Sequence, residues 1–270
     1  MHYIVFKTKK GVRSIPFPIL PFIILLVLVL IIVFSMLPPL SMGAYNDFYS
    51  GLHGAVTERK SSVTLKKPSD GVMKNAMYRI LEGEPEIFYV DGISYSFYEN
   101  DTVKVNFSYR YSASAYEADL TYFRSEIDRI VAQLEEDATN AEKARQAHDY
   151  IIENYSYGGD HDALSMLRTG KGVCSAYAAL YKAILDRLGI ENVYLHGKTE
   201  GNFGPLSYEN HAWNLIKIGA WWYHVDVTWD DASGEEQDKY FMVGDIFMKQ
   251  NYHKTWDAVD NYNYYCFWNA

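Results

Sequence analysis

Three side chains of this 270-residue chain, Cys174, His211 and Asp226, have the types and spacing for covalent catalysis. Cys174, one of only two cysteines, stands in GKGVCSAYAALYKAILDRLGI, residues 171–191. Tyr177, Leu180, Tyr181, Ile184, Leu185 and Leu188 recur there at helical spacing, closed by Gly189, so the thiol falls in a first helical turn. Unpaired backbone N–H groups and the positive end of the helix dipole favour thiolate over thiol at that place. A small buried residue at a helix start is the competing reading, because free cysteine is commonly a core residue.

A reactive cysteine needs a base, and the second half of the chain supplies one. HAWNLIKI and WWYHVDVT read as two strands joined by Gly219-Ala220, a turn of type II′. That turn pairs Trp213 with Asp226 and His211 with Thr228, and makes His211 and Asp226 diagonal neighbours on one face, roughly 7 Å apart. A one-residue slip would separate them. A carboxylate that orients one imidazole nitrogen leaves the other to take the thiol proton, so Cys174, His211 and Asp226 are candidate nucleophile, base and orienter. His224 shares the Asp226 face and is the rival base, with poorer reach. Trp213 and Tyr177, aromatics beside His211 and Cys174, are the candidate substrate-binding residues.

Upstream elements must carry this site. Ser41 to Asp70 has no sustained periodicity and reads as a linker; a short helix is expected at Val72 to Leu81. Ile87 to Tyr111 alternates aromatic and polar residues around two turns, an antiparallel meander. Leu120, Phe123, Ile127, Ile130, Val131 and Leu134 mark a helix, and Thr139 with Glu142 forms a capping box for another reaching Asn154.

Phe17 to Leu37 is an uncharged run of 21 residues, long enough to cross a bilayer core of roughly 30 Å. Its length favours an uncleaved anchor over a signal peptide, for which only a poor cleavage site ending at Ala44 is present. Lys7, Lys9, Lys10 and Arg13 precede it and put the amino terminus in the cytoplasm, with the chain from residue 41 outside. The rest carries 21 basic and 34 acidic side chains, which argues against nucleic acid as a partner.

The order GKGVC, HAWN and WYHVDVTWDD resembles the transglutaminase-like superfamily, in particular its bacterial extracytoplasmic members, from about Asn140 onward and including HDYIIENYSY. The resemblance implies an α+β, papain-like core: a helix bearing Cys174 packed on an antiparallel sheet bearing His211 and Asp226. The expected organisation is a cytoplasmic basic tail over 1–16, a transmembrane signal anchor over 17–37, a linker over 41–70, a helix and meander region over 71–138, and a catalytic core over 139–270. Related sequences commonly read VCQGYA, so Ser175 and Ala176 alter the surroundings of the oxyanion site.

Arylamine acetyltransferases share the triad but carry an Arg-rich motif that this chain lacks. A metal site from His211, His224 and Asp226 has no HExxH or CxxC pattern, and the acidic run from Asp230 to Asp238 fits no calcium loop, so neither metal nor other cofactor is expected. The expected activity is acyl transfer or hydrolysis at protein or peptide amides, cell-envelope substrates included, through a Cys174 thioester. The alternative is a non-catalytic surface scaffold, which a disulfide between Cys174 and Cys266 would enforce.

Overall fold

Gly219 adopts φ +63° and Ala220 a negative φ, as a type II′ turn requires, and this turn sets the register of the central hairpin. β9 (Tyr208–Ile218) and β10 (Trp221–Val225) pair Trp221 with Ile218 and His224 with Leu215, the register expected from the sequence. The structure is a computed structural model and describes residues 3–8, 11–16, 40–200, 208–232 and 237–256. The apolar run at 17–37 lies outside them; among the described residues no helix is long and apolar enough to cross a membrane. Within residues 1–16, β1 (Tyr3–Thr8) and β2 (Gly11–Pro16) form an antiparallel hairpin.

The described residues from Ala44 onward form one compact unit. The stretch read as a linker is part of it. Helix α1 (Leu40–Thr57) buries Phe48, Leu52, Ala55 and Val56, spaced to share one helical face, and β3 (Ser62–Lys66) joins a sheet. The polar residues between those apolar ones hide the period in the sequence. Helix α2 (Asp70–Tyr78) starts at Ser69 and ends in a π-turn over Arg79–Gly83. The meander forms as β4 (Val90–Tyr98) and β5 (Thr102–Tyr109), giving a three-stranded sheet in the order β3-β5-β4. Val103, Val105 and Phe107 alternate into the core, as half-buried strands require.

Helix α3 (Ala113–Val131) buries Leu120, Phe123, Ile127 and Ile130, and α4 (Asn140–Asn154) carries the complete Thr139–Glu142 capping box. Short β6 (Ser156–Asp160) and β7 (Lys171–Gly172) pair around α5 (Ala163–Thr169) and lead into α6 (Cys174–Arg187). The sequence suggests a striped helix, yet every residue of α6 from Ser175 to Leu185 is buried. Four alanines on it, at 176, 178, 179 and 183, let its neighbours close in around it. It contacts α3, α4 and α5 as well as the sheet, where Asn214 donates a hydrogen bond to the Ala178 carbonyl at 3.0 Å. One hydrophobic cluster runs from Phe48 to Val227, spanning the boundary expected at 138/139.

β8 (Asn192–Glu200), β9 and β10 form an antiparallel five-stranded sheet with β11 (Phe241–Val243) and β12 (His253–Trp256), in the order β11-β10-β9-β8-β12. Between β10 and β11 lies α7 (Val227–Ala232), and α8 (Asp245–Gln250) precedes β12. Gly197 of β8 faces His211 in register, and a Cβ there would meet both the Thr255 carbonyl oxygen and the Trp213 ring. Gly197→Ala is therefore expected to displace Trp213 and cost about 1–3 kcal/mol, as overpacking of a closed core does. Urea unfolding of the variant against the parent measures it.

Candidate active site

Asp226 is not in the strand expected to carry it. β10 ends at Val225, and Thr228 belongs to α7, because Asp226 works as the start of that helix: its Oδ1 accepts the Trp229 backbone N–H at 3.1 Å, a helix N-cap interaction. Its backbone N–H donates to the Tyr240 carbonyl at 3.1 Å. The hairpin register nevertheless delivers the carboxylate to His211, whose Nε2 lies 2.7 Å from Asp226 Oδ2. The same oxygen meets a second imidazole, His253 Nε2, at 2.8 Å. These three residues are buried, and each offers one ligand-type atom within 4.8 Å of the others. As they stand, the shared oxygen is filled by the two imidazole nitrogens.

Cys174 is a free thiol at the first residue of α6, partly exposed where the rest of the site is buried. Val173 provides no side-chain cap; its carbonyl takes the Ala176 and Tyr177 N–H groups, so the Cys174 and Ser175 N–H groups at the head of α6 are not capped by it. Burial opposes charge on His211, but the Asp226 charge and hydrogen bond, reinforced by a hydrogen bond with Cys174, raise its pKa to about 10. Burial likewise opposes charge on Asp226, and His211 and His253 overcome it, holding the carboxyl well below its ordinary range.

His224 is placed elsewhere. It accepts the Trp213 indole N–H on Nδ1 at 2.9 Å and turns Nε2 to Asp245 at 2.9 Å. Burial lowers its pKa, against the pull of Asp245, which suits the unprotonated Nδ1 that Trp213 requires. Trp213 is 1% exposed and stacks on His211 with ring centroids 5.7 Å apart; Tyr177 is fully buried, its hydroxyl 2.5 Å from Asp231 Oδ2. Both side chains, expected as substrate contacts, are thus buried in this structure. Ser175 is buried too and donates to the His161 carbonyl at 2.8 Å. Cys266 lies outside the described residues.

A fourth buried imidazole among the described residues contacts α7. His148 of α4, in the HDYIIENYSY segment, bridges Asp149 at 2.8 Å and Asp230 at 3.0 Å, while Asp230 also accepts the Tyr240 backbone N–H at 2.8 Å. Arg145 binds Asp149 through Nε at 2.8 Å and lies close to Asp238. The His148 ring meets Phe241 edge-on. Burial works against the His148 proton, but its two carboxylate partners prevail and raise its pKa. Nothing local in the sequence marks His253 or the His148–Asp230 pair, because each depends on contacts between distant elements.

The sequence profile of the Transglutaminase-like superfamily matches residues 128–227, which contain Cys174, His211 and Asp226. Human kyphoscoliosis peptidase is 28% identical over 122 residues, covering 39% of this chain and 18% of that protein, so the chain spans under a fifth of that relative's length. Among solved structures, a TGase overlaps 52% of this chain and 44% of its own at 12% identity and a TM-score of 0.35. A candidate cysteine protease from Cytophaga hutchinsonii overlaps 51% and 61% at 14% identity and a TM-score of 0.32.

A raised histidine pKa stabilises the fold below the unfolded value, about 6.5, and that contribution is lost as pH rises through the folded value. His148→Gln should therefore cost roughly 1–3 kcal/mol at pH 6, as loss of buried charge-assisted bonds does. The difference from the parent should shrink by pH 9. Denaturant titrations of both proteins across this range check it.

Proposed function

We propose that the transglutaminase-like domain at residues 128–227 is a cysteine enzyme that forms a thioester on Cys174 with protein or peptide amides. The observation that carries the reading is His211, buried, 2.7 Å from Asp226 and bearing on the partly exposed Cys174 at a helix start. In this reading the Cys174 sulfur attacks the amide carbonyl and a C–S bond forms. The oxyanion is met by the Cys174 and Ser175 N–H groups at the head of α6. His211 passes its proton to the amide nitrogen, the C–N bond breaks and the amine leaves. Water or a second amine then attacks the thioester carbonyl, His211 takes the proton of the incoming nucleophile, and the C–S bond breaks to restore the Cys174 thiolate beside protonated His211. Water gives hydrolysis; an amine gives a transferred acyl group.

Asp226 holds His211 in the orientation this requires, and His224 is occupied by Trp213 and Asp245. Cys174→Ala should abolish release of ammonia or new amino termini from glutamine peptides and casein, with and without added hydroxylamine. His211→Ala should be nearly as severe, Asp226→Asn should lose activity by orders of magnitude, and His224→Ala should retain more than either. If the parent turns over none of these substrates, the scaffold reading replaces this one.

The pH profile gives an independent check. Proton delivery needs protonated His211, so kcat should fall as pH rises through about 10. Removing the Asp226 charge removes what holds that proton, and the alkaline limb should move to lower pH in Asp226→Asn. An unmoved limb would count against the assigned pair.

The apolar run at 17–37, preceded by four basic residues, supports an anchored protein with this domain outside the cytoplasm, acting on cell-envelope substrates. Protease added to intact cells should then release a soluble fragment holding most of the chain. Protection of the carboxy-terminal region overturns this placement.

A further inference from the structure

We propose that His253, which lies beyond the last residue of the superfamily match, is a positioning residue that locks the Asp226 carboxylate onto His211; this rests on the cysteine-enzyme reading above. The terminal torsion of an aspartate is broad, so its direction is set by what binds the two oxygens. Trp229 N–H holds Oδ1 at 3.1 Å, and His211 holds Oδ2 at 2.7 Å. Without a third donor, His211 would be steering the group that is supposed to steer it. His253 supplies that donor at 2.8 Å from Oδ2, independently of His211.

His253 is itself firmly placed. It is fully buried, with Nε2 2.8 Å from Asp226 Oδ2 and Nδ1 3.1 Å from the Asn251 carbonyl; both partners are acceptors, and the shorter, charge-assisted contact to the carboxylate holds the proton on Nε2. Trp229 at 4.5 Å, Trp213 at 4.9 Å and Tyr240 at 5.6 Å surround the ring. The strand β12 that carries it pairs with β8 through His253 and Thr199. Just before it, Tyr252 takes a left-handed φ of +73° while 52% exposed, a conformation that costs a non-glycine residue and persists only where surrounding contacts fix it. A buried imidazole delivered by such a turn to an oxygen already bound by His211 has the geometry of a brace.

The test compares His253→Leu, which fills the space without a donor, with His253→Gln, which keeps an N–H of similar reach. Both are made in the full chain and assayed on a glutamine dipeptide with hydroxylamine and on casein. Loss of a hydrogen bond to a charged group should lower kcat roughly tenfold to a hundredfold in the Leu variant at unchanged KM. Gln should restore kcat to within a few-fold. The downfield proton resonance of the His211 Nε2–H bonded to Asp226 should broaden or vanish in Leu and return in Gln. A Leu variant with the parent's kcat and resonance, or equal losses in Leu and Gln, overturns the proposal. Should the Leu variant fail to fold by circular dichroism, His253→Asn, which ends short of Asp226, takes its place against Gln on the same criteria. If the parent turns over neither substrate, the enzyme reading falls by itself and the resonance alone decides the brace: persistence in Leu overturns it, loss with recovery in Gln upholds it.

Discussion

The Asp226 carboxylate is the point on which the described site turns. A buried carboxylate is costly unless its charge is balanced and its oxygens are bonded. Here Oδ1 caps α7 and Oδ2 accepts from two imidazoles contributed by β9 and β12. The residue that orients His211 therefore also starts a helix and joins two strands of the sheet. Disturbing it would leave a charge without partners in a fully buried place, so fold and site are bound to one group.

Around that group the structure adds a second ionic layer one turn further along the same short helix. Asp230 is engaged by His148 of α4, which also holds Asp149, and Asp149 is held by Arg145. Asp230 N–H closes the turn back on the Asp226 carbonyl at 3.1 Å. Helix α7 is only six residues long and too short to hold its shape by propensity. Its conformation is imposed by the carboxylate at its start and the Asp230–His148 contact. The aromatic rings of Trp213, Trp229 and Tyr240 keep this network in a low-dielectric setting, where each satisfied bond is strong and each missing one is expensive. Cys174, at the open end of α6, is the partly exposed member through which a substrate would be reached.

Much of the local structure is legible in the residues. The capping box at Thr139, the helical spacing from Tyr177 to Leu188 and the Gly219-Ala220 turn are short-range signals, and each acts within a few residues. The turn has a longer consequence, because a two-residue loop fixes the register of both strands and so makes His211 and Asp226 neighbours. Helix α1 was hidden because its buried residues are too sparse to stand out among polar ones, and burial against other elements, not local propensity, makes it a helix.

By itself the sequence determined the meander, the capped helix from Thr139, the helix of Cys174, the hairpin register and the candidates Cys174, His211 and Asp226, since these follow from spacing along one stretch of chain. Only the tertiary structure decided that β10 stops at Val225, that Trp213 and Tyr177 are buried, and that His224 is held by Trp213 and Asp245. It also decided that His253 shares Asp226. The physical reason is common to all four. A buried polar group takes whichever partner the packing brings within hydrogen-bonding distance, and the packing that pairs β12 with β8 joins segments more than fifty residues apart in the chain.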